Sequence, residues 1–172
     1  FDKITLLKAL DGEGEHGPHS IVLSPDKKSL FVIAVNFTKI PEMQGYRNFP
    51  DGKIDNLLPL IKDPNGHDNT VNGHGGWIAN VDSTGTDWEL YSSGFRNPFD
   101  MAFNDAGDMF TSDSDMDWDF GTRWSRHTRI GQVTHGNEFE WRPGSNHWSP
   151  VFPASVPACL MFRHGLPATM RS

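Results

Sequence analysis

The apolar residues of this chain occur in short runs separated by turn residues, and this pattern constrains the fold more than any other feature. The longest strictly apolar run extends from Leu30 to Val35, six residues, whereas a membrane-spanning helix needs about 20. Helical periodicity is weak throughout, and short apolar runs bounded by turn residues are typical of strands. Glycine (17) and proline (12) are abundant for 172 residues, as expected where turns are frequent. The sequence therefore predicts an all-β protein with no membrane span in this segment.

Strands are predicted wherever an apolar run of suitable length lies between turn signals. They are Ile4–Leu10, Ile21–Leu23, Leu30–Val35, Trp77–Val81, Trp88–Ser92 and Ile130–Val133, with a further hairpin around a turn at Asn104–Asp108. Turns are predicted at Ser24–Ser29, Asp82–Thr86 and Gly136–Asn137. The first has a mechanism, because Pro25 pre-sets φ at the second turn position. Residues 36–75 are proline-rich and predict a long loop, which in a compact domain is usually functional or an insertion.

The charge balance excludes two classes of partner. Fifteen Lys and Arg against 22 Asp and Glu give a net charge of −7. There is no basic surplus to neutralise phosphates, so we expect no nucleic acid partner and no docking on anionic membranes. A single cysteine, Cys159, excludes an internal disulfide, a Cys-rich zinc site and an attached c-type haem within this segment.

Two segments share one design. The stretches "HGPHSIVLSPDKKSLFV" and "FRNPFDMAFNDAGDMFT" each have a proline, two residues, an apolar run, a polar turn and an apolar strand. Their prolines, Pro18 and Pro98, are 80 positions apart. Without the long loop the spacing is about forty, the size of one four-stranded propeller blade. Repeated hairpins of any antiparallel protein are the alternative explanation.

The segment "SGFRNPFDMAFNDAGDMFTSDSDMDWD" resembles the glucose/sorbosone dehydrogenase family, whose soluble quinoprotein members are six-bladed β-propellers. "HGPHSIVLSPDKK" is similar to an earlier family motif, a histidine followed nine residues later by the turn proline, here His16 and Pro25. "HGNEFEW" is similar to a family turn, with Glu140 where glycine is usual. The likeness is nearest to the dehydrogenase propellers of large multidomain bacterial proteins, which often carry a separate c-type haem domain.

The resemblance implies a partial six-bladed β-propeller at residues 1–157, with an insertion loop at 36–75 and a divergent tail at 158–172. Six blades of about forty residues each need more than two hundred residues. This chain is therefore long enough for about three blades of four-stranded antiparallel sheet. We expect a fragment of a larger chain, inactive alone and marginally stable because half a ring leaves apolar faces uncovered. A short protein that oligomerises to complete the ring is the alternative.

The same resemblance implies site residues. His16 matches the general base that takes the hydroxyl proton of a sugar or other alcohol, a task that suits imidazole. His19, three residues away, competes for this role. Arg96 and Asn97 match residues that bind pyrroloquinoline quinone, and a guanidinium holds carboxylate or quinone oxygens with paired donors. A structural role for Arg96, paired with a nearby aspartate, is the alternative.

Seven aspartates lie between residues 100 and 119, without any Lys or Arg. Four of them alternate, and in a strand alternation places them on one face: Asp113, Asp115, Asp117 and Asp119. Clustered carboxylates predict calcium, although the spacing is not that of an EF-hand. The alternative is that the arginines at 123, 126 and 129, which follow directly, neutralise these carboxylates without a metal ion. Where the characterised quinoproteins use a glycine-proline pair near their calcium, this chain has Asp113–Ser114–Asp115, which departs from the family pattern.

The first hypothesis is therefore a quinone-linked, calcium-assisted dehydrogenase of a sugar or other alcohol, with a possible c-type cytochrome domain elsewhere in the parent chain. A periplasmic or secreted location follows from the resemblance alone. The second hypothesis is a non-catalytic propeller that binds carbohydrate or a protein partner, since fold alone does not imply catalysis. The third is a calcium-stabilised structural module of a larger electron-transfer protein.

Overall fold

The computed structural model describes residues 3–12, 14–46, 75–114, 128–139, 141 and 160–161. These residues form strands and one turn of 3-10 helix at Gly14–His16, so the all-β prediction is confirmed for this part of the chain. The strands are β1 Pro18–Leu23, β2 Ser29–Ala34, β3 Gly45–Tyr46, β4 Gly76–Asp82, β5 Trp88–Phe95, β6 Pro98–Phe103, β7 Met109–Asp113, β8 Arg129–Val133, β9 Asn137–Glu138 and β10 Leu160–Met161.

The strands form two sheets, and neither closes on itself within the described residues. In the first sheet β1, β2, β4 and β5 form an antiparallel meander, and the short β3 and β9 pair in parallel with β5. In the second sheet β6, β7, β8 and β10 pair antiparallel in that order. Each sheet thus contains one four-stranded antiparallel meander.

The predicted hairpin turns are confirmed, and side chains explain why they form where they do. Ser24 Oγ accepts hydrogen bonds from the backbone N–H groups of Lys28 and Ser29 at 3.2 and 3.0 Å. Asp82 closes the second hairpin in the same way, since its carboxylate accepts the N–H groups of Thr86 and Asp87 at 2.8 and 2.9 Å. These local bonds end one strand and start the next.

The main core lies between the two sheets. It consists of large side chains from the facing sides of both sheets, namely Phe31, Ile33, Ile78, Phe95, Met101, Met109, Val133 and Phe139. Phe95 at the end of β5 and Phe139 after β9 stack with their ring centroids 4.3 Å apart, and both are at most 1% exposed. Stacked aromatic pairs of this kind stabilise a core beyond their buried area.

The opposite face of the first sheet is also covered. Val32, Ala34, Trp77, Ala79, Val81, Trp88 and Leu90 pack there against Leu10, Ile40 and Met43, which come from outside the sheets. The segments that supply this cover are residues 3–12, called here the N-terminal arm, and residues 36–46, the start of the predicted long loop. Both faces of the first sheet are therefore packed over β2, β4 and β5, whereas Ile21 and Leu23 of the edge strand β1 are exposed.

The predicted strand at Ile4–Leu10 is wrong. This part of the N-terminal arm has no strand partner among the described residues, and Ile4 and Leu6 are 90% and 80% exposed. The arm instead crosses the face of the first sheet, where Lys8 Nζ lies 4.9 Å from the Trp88 ring centroid and donates to Glu42 O at 2.8 Å. Apolar composition predicted a strand here, but a strand also requires a free sheet edge.

The predicted long loop and the predicted divergent tail each contain a short strand. β3 lies inside the predicted loop 36–75, and β10 lies inside the tail 158–172, where it pairs with β8. The apolar run Leu57–Ile61 and most of both regions lie outside the described residues.

The two strands that begin with the repeated prolines lie next to each other. β1 starts at Pro18 and β6 at Pro98, and Ser20 Oγ donates to Asp100 Oδ1 at 2.7 Å between them. The two meanders thus meet along their first strands, and the residues that precede these strands are brought together.

Gly75→Ala is expected to lower the free energy of unfolding by about 1–3 kcal/mol. Gly75 has φ 67°, and a Cβ there would overlap the backbone oxygen of Phe95 and lie 2.7 Å from Trp141 Cε3. Gly107→Ala is the control, because its φ is 88° but the nearest atom, Pro25 Cγ, is 4.0 Å away. Urea unfolding of both variants measures the difference; equal losses would contradict the packing argument.

Candidate functional site

The sequence-predicted site residues that the structure describes lie at one end of the two sheets. His16 ends the 3-10 turn just before β1, Arg96 and Asn97 connect β5 to β6, and Asp113 ends β7. Asn36 follows the end of β2, and Arg129 begins β8. Because neighbouring antiparallel strands run in opposite directions, the start of one lies beside the end of the next. This topology brings residues that are far apart in sequence together.

His16 is held by amide side chains on both ring nitrogens. It is 3% exposed, and its Nδ1 lies 2.6 Å from Asn36 Oδ1. An amide oxygen accepts only, so in this network Nδ1 carries the proton and Nε2 has the lone pair. Asn97 Nδ2 donates to that Nε2 at 3.3 Å. The arrangement fixes the imidazole in the tautomer that a general base requires.

Asn97 also carries a buried acceptor. Its Oδ1 is buried and makes no hydrogen bond with any of the residues that the structure describes. Leaving a buried polar atom unpaired costs about 1–3 kcal/mol. A ligand O–H or N–H group that bonds to Oδ1 would remove this cost, and the free energy of binding would become more favourable. This atom belongs to the side chain that contacts His16.

Arg96 is fixed between the two sheets by its own backbone. Its carbonyl oxygen accepts the N–H of Asn36 at 3.3 Å, and its N–H donates to Asp113 Oδ1 at 3.0 Å. The side chain is buried, and its Nη1 donates to Ser114 Oγ at 3.4 Å. A buried guanidinium at this point places a permanent positive charge in the site.

The buried Asp113 carboxylate holds this turn in place. It accepts the backbone N–H groups of Arg96 and Asn97, the latter at 2.9 Å, and Arg129 Nη2 at 3.4 Å. Burial raises the pKa of the Asp113 carboxyl, against the opposing effects of Arg129 and the two N–H groups. For Asp113 the geometry matches the alternative in which an arginine pairs with the aspartate.

The calcium prediction stays a prediction. Asp115, Asp117 and Asp119 lie outside the described residues, as do Arg123 and Arg126. Within the part of the chain that the structure describes, no group of three or more His, Cys, Asp or Glu side chains could hold a metal ion.

The competing His19 has a different environment. Its Nε2 lies 2.8 Å from Glu15 O and its Nδ1 lies 3.2 Å from Pro98 O. Both ring nitrogens face carbonyl oxygens, which accept hydrogen bonds, whereas a general base needs a nitrogen with an available lone pair. The geometry therefore favours His16 over His19 as the base.

Sequence reasoning missed Asn36 as a member of this site, and it named His19 only as a competing base, without the contacts that His19 makes with Glu15 and Pro98. Asn36 directly follows the longest apolar run, so a polar residue at the end of a predicted buried strand was the signal available. The role of His19 had no local signal, since Pro98 is 79 residues away.

No family model matches this chain, and no match is found among curated proteins. Within the described ranges, no helix has the length and apolar character needed to cross a membrane.

Proposed function

We propose that this chain belongs to an oxidoreductase that oxidises a sugar or other alcohol with pyrroloquinoline quinone as cofactor. One observation carries the proposal: the lone-pair nitrogen of His16 accepts a hydrogen bond from Asn97, 81 residues away, at 3.3 Å. The residues predicted as base and as cofactor ligand on independent motifs are thus in contact.

The fold supports the proposal at the level of architecture. We interpret the two four-stranded meanders as two blades of a β-propeller, because each blade is such a meander and neighbouring blades have adjacent first strands. Here β1 and β6 are the adjacent first strands, and the site residues lie where these strands begin.

The chemistry follows from the held tautomer of His16. When an alcohol carbon loses a hydride, the hydroxyl proton must go to a base. In this proposal the base is His16 Nε2, and the substrate hydroxyl takes the place of the 3.3 Å contact that Asn97 Nδ2 makes with this atom. The imidazolium that forms keeps its Nδ1–H bond to Asn36 Oδ1, 2.6 Å away, which holds the ring in place during the transfer. A bound quinone supplies the two-electron acceptor for the hydride.

The residues present fit such a cofactor. Arg96 brings a permanent cation with several donors for quinone or carboxylate oxygens. Asn97 Oδ1 is a buried acceptor without a partner among the described residues, so it suits an N–H or O–H group of the ligand. Calcium assistance, a c-type cytochrome domain elsewhere in the parent chain and the periplasmic or secreted location are parts of the same proposal.

Calorimetric titration of the full-length protein with pyrroloquinoline quinone, with and without calcium, tests the proposal. Arg96→Ala is expected to weaken quinone binding about 10–100-fold, since hydrogen bonds to charged groups contribute about 1.5–3 kcal/mol. Lys39→Ala is the matched control, because Lys39 is an exposed cation paired with Asp11 at 2.5 Å. Absence of quinone binding by the unmodified protein would refute the cofactor assignment.

A non-catalytic binding propeller is the second candidate. The observation in its favour is that Asp113 and both ring nitrogens of His16 form internal hydrogen bonds, which stabilise the fold without any ligand. Carbohydrate or protein binding that survives His16→Ala, together with no quinone binding, would favour this candidate.

A further inference from the structure

His19 connects the two segments that carry the site. Its Nε2 contacts the carbonyl oxygen of Glu15, the residue before His16, at 2.8 Å. Its Nδ1 contacts the carbonyl oxygen of Pro98, the residue after Asn97, at 3.2 Å. One imidazole ring therefore spans the gap between the 3-10 turn of the first sheet and the first strand of the second.

The chemistry of the two contacts makes His19 the donor. Backbone carbonyl oxygens accept hydrogen bonds and cannot donate them, so a hydrogen bond to Glu15 O or Pro98 O uses an N–H of the His19 ring. The ring therefore joins the two segments by donating to their backbone.

We propose that His19 is a positioning residue that sets the separation between His16 and Asn97. It acts through the backbone, by holding the carbonyl groups adjacent to these two residues. The inference uses the proposed function only where it treats His16 as the base.

Neighbouring contacts support this role. The Phe99 ring meets the His19 ring edge-on at 5.4 Å between centroids, which limits rotation of the imidazole. The Ser20–Asp100 bond, at 2.7 Å, joins the same two strands one residue further along. Together these contacts hold β1 and β6 side by side, and His19 is the member nearest to the site.

The first test is the hydrogen bonding of the His19 ring in the full chain, labelled with 15N-histidine and measured by NMR. A His19 N–H that is hydrogen-bonded to a backbone carbonyl oxygen is expected. A His19 ring without any such hydrogen bond would overturn the proposal, and this measurement requires no substitution.

The second test compares two variants of the full chain. His19→Arg retains N–H donors, whereas His19→Phe retains a planar ring without donors. The signal of the His16 Nδ1–H, which bonds to Asn36 Oδ1 at 2.6 Å, is expected to persist in His19→Arg and to shift or disappear in His19→Phe. An unchanged His16 signal in folded His19→Phe would refute the positioning role.

The positioning role of His19 and the proposed function can be refuted independently. Neither NMR measurement uses quinone or substrate, so both test the role of His19 even if quinone does not bind. If His19→Phe does not fold, the hydrogen bonding of the His19 ring in the unmodified chain decides the matter alone.

Discussion

Asp113→Ala is expected to lower the free energy of unfolding by about 3–5 kcal/mol, the usual cost of breaking a buried ion pair by removing one partner. The substitution leaves the backbone N–H groups of Arg96 and Asn97 without their acceptor and removes the carboxylate that pairs with Arg129. Urea unfolding followed by circular dichroism measures the loss. Asp105→Ala is the control, since Asp105 is exposed in the turn between β6 and β7 and should change stability by less than about 0.5 kcal/mol.

The pH dependence of the free energy of unfolding gives a second test of how burial affects the Asp113 carboxyl. Burial raises the pKa of its carboxyl above the ordinary value of 3.8, so the folded chain keeps this proton to higher pH than the unfolded chain does. The contribution of this group to stability therefore decreases as pH rises from 3.8 through the folded-state pKa. Asp113→Asn is expected to remove that decrease. A variant that retains the full pH dependence would show that other groups cause it.

His16→Ala is expected to lower kcat for alcohol oxidation by the quinone-loaded full-length protein about 10²–10⁴-fold, the usual contribution of a positioned general base. In the proposed mechanism, the substitution removes the nitrogen that accepts the hydroxyl proton and leaves Arg96 and Asn97, the proposed cofactor ligands, in place. Quinone affinity should therefore change much less than kcat, and stopped-flow reduction of the bound quinone separates the two.

The control for that experiment is His135→Ala. The ring of His135 stacks on Tyr91 with centroids 5.0 Å apart and its Nε2 lies 3.0 Å from Glu89 Oε1, so it belongs to a different cluster from the His16 site. Equal effects of the two substitutions on kcat would contradict a specific role for His16. Asn36→Ala should have an intermediate effect, because it removes the acceptor that fixes the tautomer of His16.

The hairpins could be predicted from the sequence because each depends on neighbouring residues. Serine and aspartate at the turns bond to backbone groups a few positions away, and the apolar runs on either side pair directly. The N-terminal arm could not be predicted in this way. Its apolar composition resembles that of a strand, but whether it pairs depends on sheet edges formed by distant residues, and it packs on a face of the first sheet instead.

Only part of the site could be predicted, because local motifs identify some of its residues but not the long-range contacts between them. His16, Arg96 and Asn97 were identified from motifs, and the structure places His16 and Asn97 in contact. Asn36 and the bridge made by His19 depend on contacts across 20 and 79 positions, which no local pattern encodes. The aspartates at 115, 117 and 119 remain a prediction, whereas Asp113 has a role in holding the turn that carries Arg96 and Asn97.

The site network occupies strand ends, whereas the core between the sheets is built largely from strand interiors. His16, Asn36 and Asn97 lie in connections outside the strands, while side chains such as Ile33 and Met109 pack between the sheets. Sequence change can therefore act on recognition and on folding at different positions. A library that varies residues around His16 and Asn97 but preserves Asp113 should yield variants with new ligand preferences and an intact core. This end of the molecule is therefore a place where evolution or engineering can diversify binding.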